Sequence, residues 1–212
     1  MLGASKILVL APHTDDAELG CGGTIARIIE NGRHVFVAVF STARDSLPVG
    51  MPPETLRNEF LSSMGCLGVP AENLTIYDYQ VRRFAERRQD ILEELVAMRK
   101  RISPELVFLP TTNDVHQDHA VVSREGVRAF RGATMLGYEL PWNNFSFPAQ
   151  AFVQLKESHV GLKLLALACY RSQKKMNRSY FDPDFIKGWA RVRGLQAQTK
   201  WAEAFEVIRA RL

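Results

Sequence analysis

Short apolar runs that alternate with amphipathic helical patterns constrain the fold of this chain more than any other sequence feature. Residues 6–11 and 34–41 are aliphatic and β-branched runs of the kind found in strands buried on both faces. Between them, residues 19–31 carry apolar side chains at helical spacing and end at Asn31-Gly32, a frequent helix terminus. Buried strands connected by helices predict a parallel sheet.

The alternation continues along the chain, regularly in the first half and less regularly in the second. The further predicted elements are helices at 53–67, 86–102, 119–130 and 159–171 and strands at 74–79, 105–110 and 134–140. No internal repeat or low-complexity linker interrupts the pattern. We therefore expect a single domain over residues 1–212 with an α/β, Rossmann-like three-layer fold, in which helices cover both faces of a mostly parallel sheet.

Composition and charge restrict the classes of partner. The 212 residues are 46% hydrophobic and 24% charged, which is typical of a globular chain that buries a core without disulfides. The 27 lysines and arginines exceed the 23 acidic residues by four, too few for a nucleic-acid-binding surface unless they are concentrated on one face. We therefore expect no nucleic-acid partner.

Cysteine usage and the apolar runs bear on the cellular compartment. Cys21, Cys66 and Cys169 are odd in number and irregularly spaced, so we expect three buried thiols in a reducing compartment rather than a disulfide framework. The apolar stretch near the amino terminus is too short for a signal peptide, and no run reaches the roughly 18 residues of a membrane span. These features predict a cytoplasmic protein with no integral membrane segment, either monomeric or a homo-oligomer.

Two polar segments follow the first and fourth predicted strands. Their titratable residues are His13, Asp15, Asp16 and Glu18 in the first segment and Asp114, His116, Asp118 and His119 in the second. Ligands of parallel sheets bind beyond the carboxyl ends of the strands, and a first strand beside a fourth would bring both segments to one crevice. The sequence thus predicts a cluster of imidazoles and carboxylates.

A divalent metal is the simplest partner for this cluster. Neutral imidazole and carboxylate suit zinc, and catalytic zinc sites combine three protein ligands with an open position; His13, Asp16 and His119 would supply that set. Alternatively, the aspartates of the first segment merely cap the helix that follows. We favour the metal because burying two such segments together requires a compensating partner.

The motifs in these segments resemble a known family. HxDD at residues 13–16, LGCGG at 19–23 and HxxH at 116–119 resemble the PIG-L/LmbE-type zinc-dependent N-acetylglucosaminyl deacetylases. Further positions of resemblance are Arg57, Glu59, the segment 163–173 and residues 202–205. Thr14 and Ala17 stand where the family commonly has proline and glutamate, but neither is a proposed ligand.

The resemblance implies a cofactor, an activity and a role for each residue of the cluster. The implied reaction removes the acetyl group from an N-acetylglucosamine-type sugar or sugar conjugate. The implied zinc ligands are His13, Asp16 and His119. The family pattern also makes Asp15 the general base, His116 the imidazole that stabilises developing charge, and Asp118 the residue that orients His116.

These roles agree with the chemistry expected of such a site. A metal lowers the pKa of a bound water to about 7, so that Asp15 can take its proton near neutrality. Attack on an acetamide builds negative charge on the carbonyl oxygen, which the metal and a protonated His116 would stabilise. A carboxylate partner raises the pKa of an imidazole, so we expect Asp118 to keep His116 protonated at neutral pH.

Four further features have two interpretations each. Arg44 follows the second strand and is either a substrate-binding residue or a surface arginine. Trp142 and Phe145 either stack on a sugar ring or pack in the core. The arginines within 82–88 either contact phosphate groups or form a solvated surface. The glycines within 20–23 lack the third glycine of a dinucleotide-binding loop, so we expect them to pack the first helix on the sheet.

Two other functions stay open from the sequence. One is a zinc amidohydrolase that acts on a different amide or on a thiol conjugate, as in mycothiol- or bacillithiol-type pathways. The other is a non-catalytic binding module that keeps the fold. The presence of Asp15 beside all three candidate ligands argues against the binding module.

Overall fold

Within residues 3–211, which the computed structural model describes, a seven-stranded sheet forms the centre of the molecule. Its strands are β1 (Lys6–His13), β2 (His34–Ser41), β3 (Leu74–Ile76), β4 (Leu106–Pro110), β5 (Thr134–Tyr138), β6 (Ala151–Leu155) and β7 (Trp201–Arg209). They lie in the order β3-β2-β1-β4-β5-β7-β6. Strands β1 to β5 are parallel, and β7 is antiparallel to both of its neighbours.

Helices cover both faces of this sheet. They are α1 (Asp16–Glu30), α2 (Thr55–Leu67), α3 (Arg88–Ile102), α4 (Gln117–Ala129), α5 (Glu157–Ala168), α6 (Arg171–Lys175) and α7 (Pro183–Gln196). Side chains of β1 alternate between the two faces: Ile7 and Val9 join the core beneath α1, α2 and α5, whereas Leu8 and Leu10 join the core beneath α3 and α4. The predicted α/β, Rossmann-like three-layer fold is confirmed.

A membrane span would need a long apolar helix. None of the helices in residues 3–211 combines the necessary length and hydrophobicity.

The strand order reverses between β1 and β4, which are hydrogen-bonded neighbours. From β1 the chain proceeds outward through β2 to β3 and then returns to add β4 and β5 on the other side. The connections after β1 and β4 therefore diverge and leave a crevice, the usual position of a ligand in an open α/β sheet. The expected adjacency of the first and fourth strands is confirmed.

Several predicted boundaries differ from the observed ones. The first helix begins at Asp16 rather than at residue 19, so it includes two carboxylates of the polar segment, Asp16 and Glu18. The third strand ends at Ile76 rather than at residue 79. The predicted helix at 159–171 is two helices, α5 and α6, because the chain turns at Cys169 and Tyr170.

Sequence patterns do not predict the antiparallel end of the sheet or α7. Glu203 and Glu206 interrupt the apolar pattern of β7, yet both carboxylates have partners inside the fold. Glu206 accepts hydrogen bonds from Thr111 and Thr112 at 2.6–2.8 Å, and Glu203 accepts backbone hydrogen bonds from α1. A local pattern cannot reveal that a charged residue has a distant partner.

The cysteines correct one expectation. Cys21 is buried as expected, but Cys66 is exposed and Cys169 is half-buried. The expectation of three buried thiols is therefore wrong for Cys66 and for Cys169, both of which lie at the ends of helices near the surface.

Candidate active site

The polar segments after β1 and β4 border a cavity of about 300 Å³. His13, Asp15 and Asp16 line it from the first segment, and His116 and His119 line it from the second. A short turn between the end of β1 and the start of α1 presents the first group, and the start of α4 presents the second. The structure thus brings these five residues together, as the sequence predicted, whereas Glu18 contacts Ser63 and Tyr170 instead.

Three donor atoms converge at the base of this cavity. His13 Nδ1 lies 3.2 Å from His119 Nε2, and Asp16 Oδ2 lies 3.3 Å from each of these nitrogens. Tetrahedral coordination with metal–ligand bonds of about 2.0–2.1 Å places donor atoms roughly 3.3–3.4 Å apart. The three donor atoms therefore have the spacing of ligands in a tetrahedral zinc site.

A second carboxylate holds each of the two imidazoles. His13 Nε2 lies 3.0 Å from Asp118 Oδ2, and His119 Nδ1 lies 2.7 Å from Asp114 Oδ2. A proton on each of these nitrogens leaves His13 Nδ1 and His119 Nε2 as lone-pair donors aimed at the same point. Histidine ligands of metals have this carboxylate support in many proteins.

The electrostatics of the cluster favour a positive charge at that point. Burial lowers the pKa of His119, but the charges and hydrogen bonds of Asp16 and Asp114 have the larger effect. Together they raise the pKa of His119 to about 10. Burial also raises the pKa of Asp16, but the charges and hydrogen bonds of His119 and His13 lower it well below its usual range. A divalent cation could replace the protons that this group of residues otherwise attracts.

The partner of Asp118 corrects a sequence expectation. Its carboxylate contacts His13 and accepts the backbone N–H groups of Arg82 and Phe84 at 2.6 and 3.3 Å. Only the backbone N–H of Asp118 contacts His116, at 3.2 Å from Nδ1. Asp118 therefore orients His13 through its side chain, and it does not form the expected carboxylate–imidazole pair with His116.

The expected protonation state of His116 is also wrong. Burial, followed by the positive charges of His119 and His13, lowers the pKa of His116 to about 4. Because Nδ1 accepts a hydrogen bond, the proton of the neutral ring is on Nε2. His116 lines the cavity, and the available nitrogen atoms of His13, His116 and His119 lie within 4.8 Å of one another.

The surroundings of Asp15 differ from those of Asp16. Asp15 lines the cavity beside Asp16. Burial, together with the negative charge of Asp16, raises the pKa of Asp15 to about 6. The pKa values of these two adjacent carboxylates are therefore shifted in opposite directions, as in sites where two carboxyl groups have different tasks.

A break in α1 positions the first turn that carries Asp16. The backbone of Cys21 leaves the helical region, with φ −147° and ψ 25°. Beyond the break, the Glu203 carboxylate accepts the N–H groups of Gly23 and Thr24 at 3.0 and 2.7 Å. Lys163 Nζ then joins the two parts, because it lies 2.7 Å from both Leu19 O and Glu203 Oε1.

The glycines around this break have the packing role expected from the sequence. A Cβ atom on Gly20 would lie 2.4 Å from the Tyr138 ring, and one on Gly23 would lie 2.6 Å from the Leu155 side chain. Sequence reasoning did not assign roles to Lys163 and Glu203, although both lie in segments that carry the family resemblance.

An aromatic pair forms another wall of the cavity. Trp142 stacks on Tyr180, with ring centroids 4.2 Å apart and an interplanar angle of 15°. Arg178 lines the cavity beside them, with its guanidinium 5.8 Å from the Tyr180 centroid. Phe145 is 96% exposed and does not line the cavity. No motif in the sequence indicated Arg178 or Tyr180.

The arginines considered from the sequence have different environments. Arg44 pairs with Asp78 at 3.1 Å, and both side chains are about half exposed. Arg44 lies beside the cavity, not among the residues that line it. Arg82 does line the cavity, and its left-handed backbone, with φ 67°, aims its N–H at Asp118.

The remaining arginines of the basic cluster form surface ion pairs. Arg83, Arg87 and Arg88 contact carboxylates at 2.5–2.8 Å, and about half or more of each of these side chains is exposed. The solvated-surface interpretation therefore fits these three residues.

Fold and site together define a class: a Rossmann-like α/β protein with a histidine–carboxylate centre where the strand order reverses. The family model PIG-L, described as GlcNAc-PI de-N-acetylase, matches residues 8–130. The chain belongs to this family. The matched residues include every imidazole and carboxylate of the cluster.

Individual proteins resemble the chain over most of its length. The uncharacterised deacetylase YaiS of Escherichia coli K12 is 28% identical over 169 residues, which are 78% of this chain and 90% of YaiS. The N,N'-diacetylchitobiose deacetylase of Pyrococcus horikoshii superposes with a TM-score of 0.82 at 20% identity, covering 97% of this chain and 84% of its own. The 4-carboxy-2-hydroxymuconate hydratase GalB of Pseudomonas putida superposes with a TM-score of 0.79 at 19% identity, covering 98% of each chain.

Proposed function

We propose that this protein is a zinc-dependent deacetylase that removes the acetyl group from an N-acetylglucosamine-type sugar or sugar conjugate. The observation that carries the proposal is the convergence of His13 Nδ1, Asp16 Oδ2 and His119 Nε2 at 3.2–3.3 Å, with Asp15 beside them. Membership of the PIG-L family and the likeness to deacetylases support the choice of reaction.

His13, Asp16 and His119 would hold the zinc ion, while Asp114 and Asp118 keep the two imidazoles in the required orientation. Bound there, zinc would lower the pKa of a coordinated water towards neutrality and polarise the amide carbonyl of the substrate. His13 is 9% exposed and His119 2% exposed, so the donor atoms lie at the closed end of the cavity.

Asp15 acts as a general base and then as a general acid. Its carboxylate accepts the proton of the water that attacks the acetamide carbon. A carboxyl group with a pKa near 6 can hold this proton and then deliver it to the nitrogen of the departing amine. Acetate and the free amino sugar are the products.

His116 stabilises the charge that develops on the carbonyl oxygen. Its neutral ring donates through Nε2–H, because Nδ1 accepts the N–H of Asp118. A preorganised donor of this kind contributes about 2.7–4 kcal/mol to the transition state. This role replaces the protonated imidazole that the sequence suggested.

The aromatic wall accounts for selectivity towards sugars. Trp142 is 38% exposed although it stacks on Tyr180, so one part of its ring system remains available at the cavity. The C–H groups of a pyranose ring pack well on such a surface. Arg178 adds hydrogen-bond donors for sugar hydroxyl groups beside that surface. Arg44 could reach only the outer part of a larger conjugate.

The fold alone does not establish the reaction, because a hydratase shares it. Three other functions have to be distinguished from the proposed one. Two of them would use the same metal centre: a zinc amidohydrolase for another amide or thiol conjugate, and a hydratase. The third is a binding module without turnover. Asp15 has a pKa near 6 and lines the cavity, which favours a hydrolase over a binding module.

The test is an acetate-release assay with zinc-loaded protein. The substrates are N-acetyl hexosamines in free, nucleotide-linked and lipid-linked form, together with an N-acetylated thiol conjugate and an unsaturated carboxylic acid. We expect acetate from at least one N-acetyl hexosamine. Release from the thiol conjugate alone, hydration of the acid alone, or no turnover would contradict the proposal.

Variants separate zinc binding from proton transfer in the same assay. Asp15→Asn should keep stoichiometric zinc and lose at least about 100-fold in turnover, because an amide cannot accept the proton. His119→Ala should lose zinc. Asp90→Asn, at an exposed position on α3, serves as the matched control and should behave like the wild type. Loss of zinc from Asp15→Asn would make Asp15 a ligand.

A further inference from the structure

Two cysteines that are far apart in the sequence lie side by side in the fold. Cys66 is in the last turn of α2, and Cys169 directly follows α5. Their sulfur atoms are 3.8 Å apart. Cys21 is fully buried, and its thiol donates to Ala17 O at 3.3 Å. The chain therefore contains one surface pair of thiols and one isolated internal thiol.

The pair has the access and the proximity that disulfide formation requires. Cys66 is exposed and Cys169 is partly exposed, so a small oxidant can reach the sulfur atoms from solvent. A disulfide bond is about 2.05 Å long, so the two sulfurs, now 3.8 Å apart, must approach each other by less than about 2 Å. Neither cysteine lines the cavity of the active site.

We propose that Cys66 and Cys169 form an intramolecular disulfide by exchange with a low-molecular-weight disulfide such as oxidised glutathione. The Cys66 thiolate attacks one sulfur of glutathione disulfide, forms a mixed disulfide and releases one glutathione thiolate. The Cys169 thiolate then attacks the Cys66 sulfur and releases the second glutathione. The two protein thiols lose two electrons, which reduce one glutathione disulfide to two thiols.

The environments of the two sulfurs determine this order of attack. Cys169 is partly covered, and its thiol donates to Leu165 O at 3.6 Å. Burial and the neighbouring Cys66 raise the pKa of Cys169 to about 11. Cys66 is the more exposed thiol and therefore meets the oxidant first.

The disulfide would connect α2 with the segment that follows α5, and both of these contact Glu18 in the first turn of α1. On α2, Ser63 donates to Glu18 at 2.6 Å, and Tyr170, which follows Cys169, donates to the same carboxylate at 2.7 Å. The disulfide would close a loop of roughly 100 residues in the unfolded chain, which the chain-entropy account links to a large gain in stability. We expect the thermal midpoint of unfolding to rise by about 5 °C or more.

The experiment incubates reduced full-length protein with oxidised glutathione and counts thiols after denaturation. We expect the count to fall from three to one, with a mass loss of about 2 Da and a peptide that joins Cys66 to Cys169. The remaining thiol should be Cys21. Oxidation should also raise the thermal midpoint, and a reductant should reverse both changes.

Variants that lack one cysteine of the pair test the order of attack, and their readouts do not depend on enzyme activity. Cys169→Ser should stop at a glutathione adduct on Cys66, and Cys66→Ser should leave Cys169 largely as a thiol; neither should gain thermal stability on oxidation. A stable glutathione adduct on the wild-type protein, a disulfide between two chains, or three unreacted thiols would each overturn the proposal.

Discussion

Asp15 and Asp16 show how far the surroundings of one residue decide its chemistry. The two carboxylates are adjacent in the sequence, but His13 and His119 hold Asp16 in its charged form while burial raises the pKa of Asp15. The largest part of the lowering of the Asp16 pKa comes from His119 on α4, about 100 residues later in the chain. At the residue scale, the site is therefore a product of the tertiary fold.

The pH dependence of turnover should report on Asp15. A general base must be deprotonated, so activity is lost as the pH falls through the pKa of Asp15, which is about 6. Arg178 lowers this pKa through its positive charge, and a bound divalent cation acts in the same direction. We expect the acid limb at or below about pH 6, and no alkaline limb from His116, whose pKa is about 4.

Removal of the Arg178 charge should move this limb. In Arg178→Gln the pKa of Asp15 should rise, so the acid limb of kcat against pH should move up by roughly half a pH unit. Arg124→Gln, at an exposed position on α4, is the control and should leave the profile unchanged. If the acid limb of Arg178→Gln does not move, Asp15 is not the group whose protonation sets that limb.

The aromatic wall makes a separate prediction about substrate binding. Trp142→Ala removes the exposed ring at the cavity and should raise KM for sugar substrates about tenfold or more, with a smaller change in kcat. Phe145→Ala is the matched control, because Phe145 is 96% exposed outside the cavity. Steady-state kinetics of both variants measure the effect. A KM of Trp142→Ala equal to that of Phe145→Ala would exclude stacking of the sugar on Trp142.

The sequence could identify the residues of the cluster but not all of their partners. His13, Asp16 and His119 were recognisable because polar residues followed buried strands at positions that a parallel sheet brings together. The partner of Asp118 could not be recognised, because its carboxylate is held beside His13 by the backbone N–H groups of Arg82 and Phe84, which lie on a distant segment. Arg178 and Tyr180 come from a part of the chain with no motif.

At the scale of elements, the broken helix α1 is the feature that joins fold and site. Its first turn carries Asp16, and its second part packs on the sheet through glycines. A regular helix pattern over residues 19–31 predicted the second part well. The break itself could not be predicted, because it depends on the buried pair of Lys163 and Glu203, more than 100 residues away.

Gly20→Ala tests the coupling between packing and site. The new Cβ would lie 2.4 Å from the Tyr138 ring, whose hydroxyl is fixed on Leu10 O at 3.0 Å. We expect a loss of about 1–3 kcal/mol in the free energy of unfolding, together with weaker zinc binding, because the turn that carries Asp16 must move. Denaturant unfolding and zinc titration measure both effects.

Gly161→Ala provides the matched control for this variant. Gly161 lies in α5, where a Cβ atom meets nothing within 4 Å. Alanine in a helix interior is favoured over glycine by roughly 0.5–1 kcal/mol, so this variant should be slightly stabilised, with zinc binding unchanged. An equal loss of stability in both variants would show that packing against Tyr138 is not the cause.

At the scale of the whole molecule, buried polar groups connect the layers of the fold. Glu18 is fully buried and accepts hydrogen bonds from Ser63 of α2 and from Tyr170. Burial raises the pKa of Glu18 to about 8. The overall α/β architecture was predictable from the hydrophobic periods of the strands and helices. These periods do not indicate the buried polar contacts of Glu18 between the helices.

The contribution of Glu18 to global stability should therefore fall as the pH rises. The unfolded chain releases the Glu18 proton near its ordinary value of 4.5, and the folded chain releases it only near 8. Between these values the folded state binds more protons, so this carboxyl destabilises the fold by at most about 1.4 kcal/mol per pH unit as the pH increases.

Glu18→Gln isolates this contribution. The amide keeps an acceptor for Ser63 and Tyr170 but does not titrate, so the variant should gain stability relative to the wild type between pH 5 and pH 8 by a few kcal/mol. Urea unfolding across that range measures the difference, and the exposed Glu72→Gln is the control. A constant difference at every pH would show that Glu18 is already charged in the folded protein.

The position of β7 in the sheet has a consequence for the order in which the molecule is completed. Glu203, which holds the break of α1, lies 180 positions after Gly23, its partner. During synthesis, every residue that lines the cavity leaves the ribosome before Glu203 does. A nascent chain thus presents the imidazoles and carboxylates before it contains the strand that stabilises the helix beneath them. Because contacts of such long range form late, we expect the centre to reach its final geometry after β7 has inserted between β5 and β6.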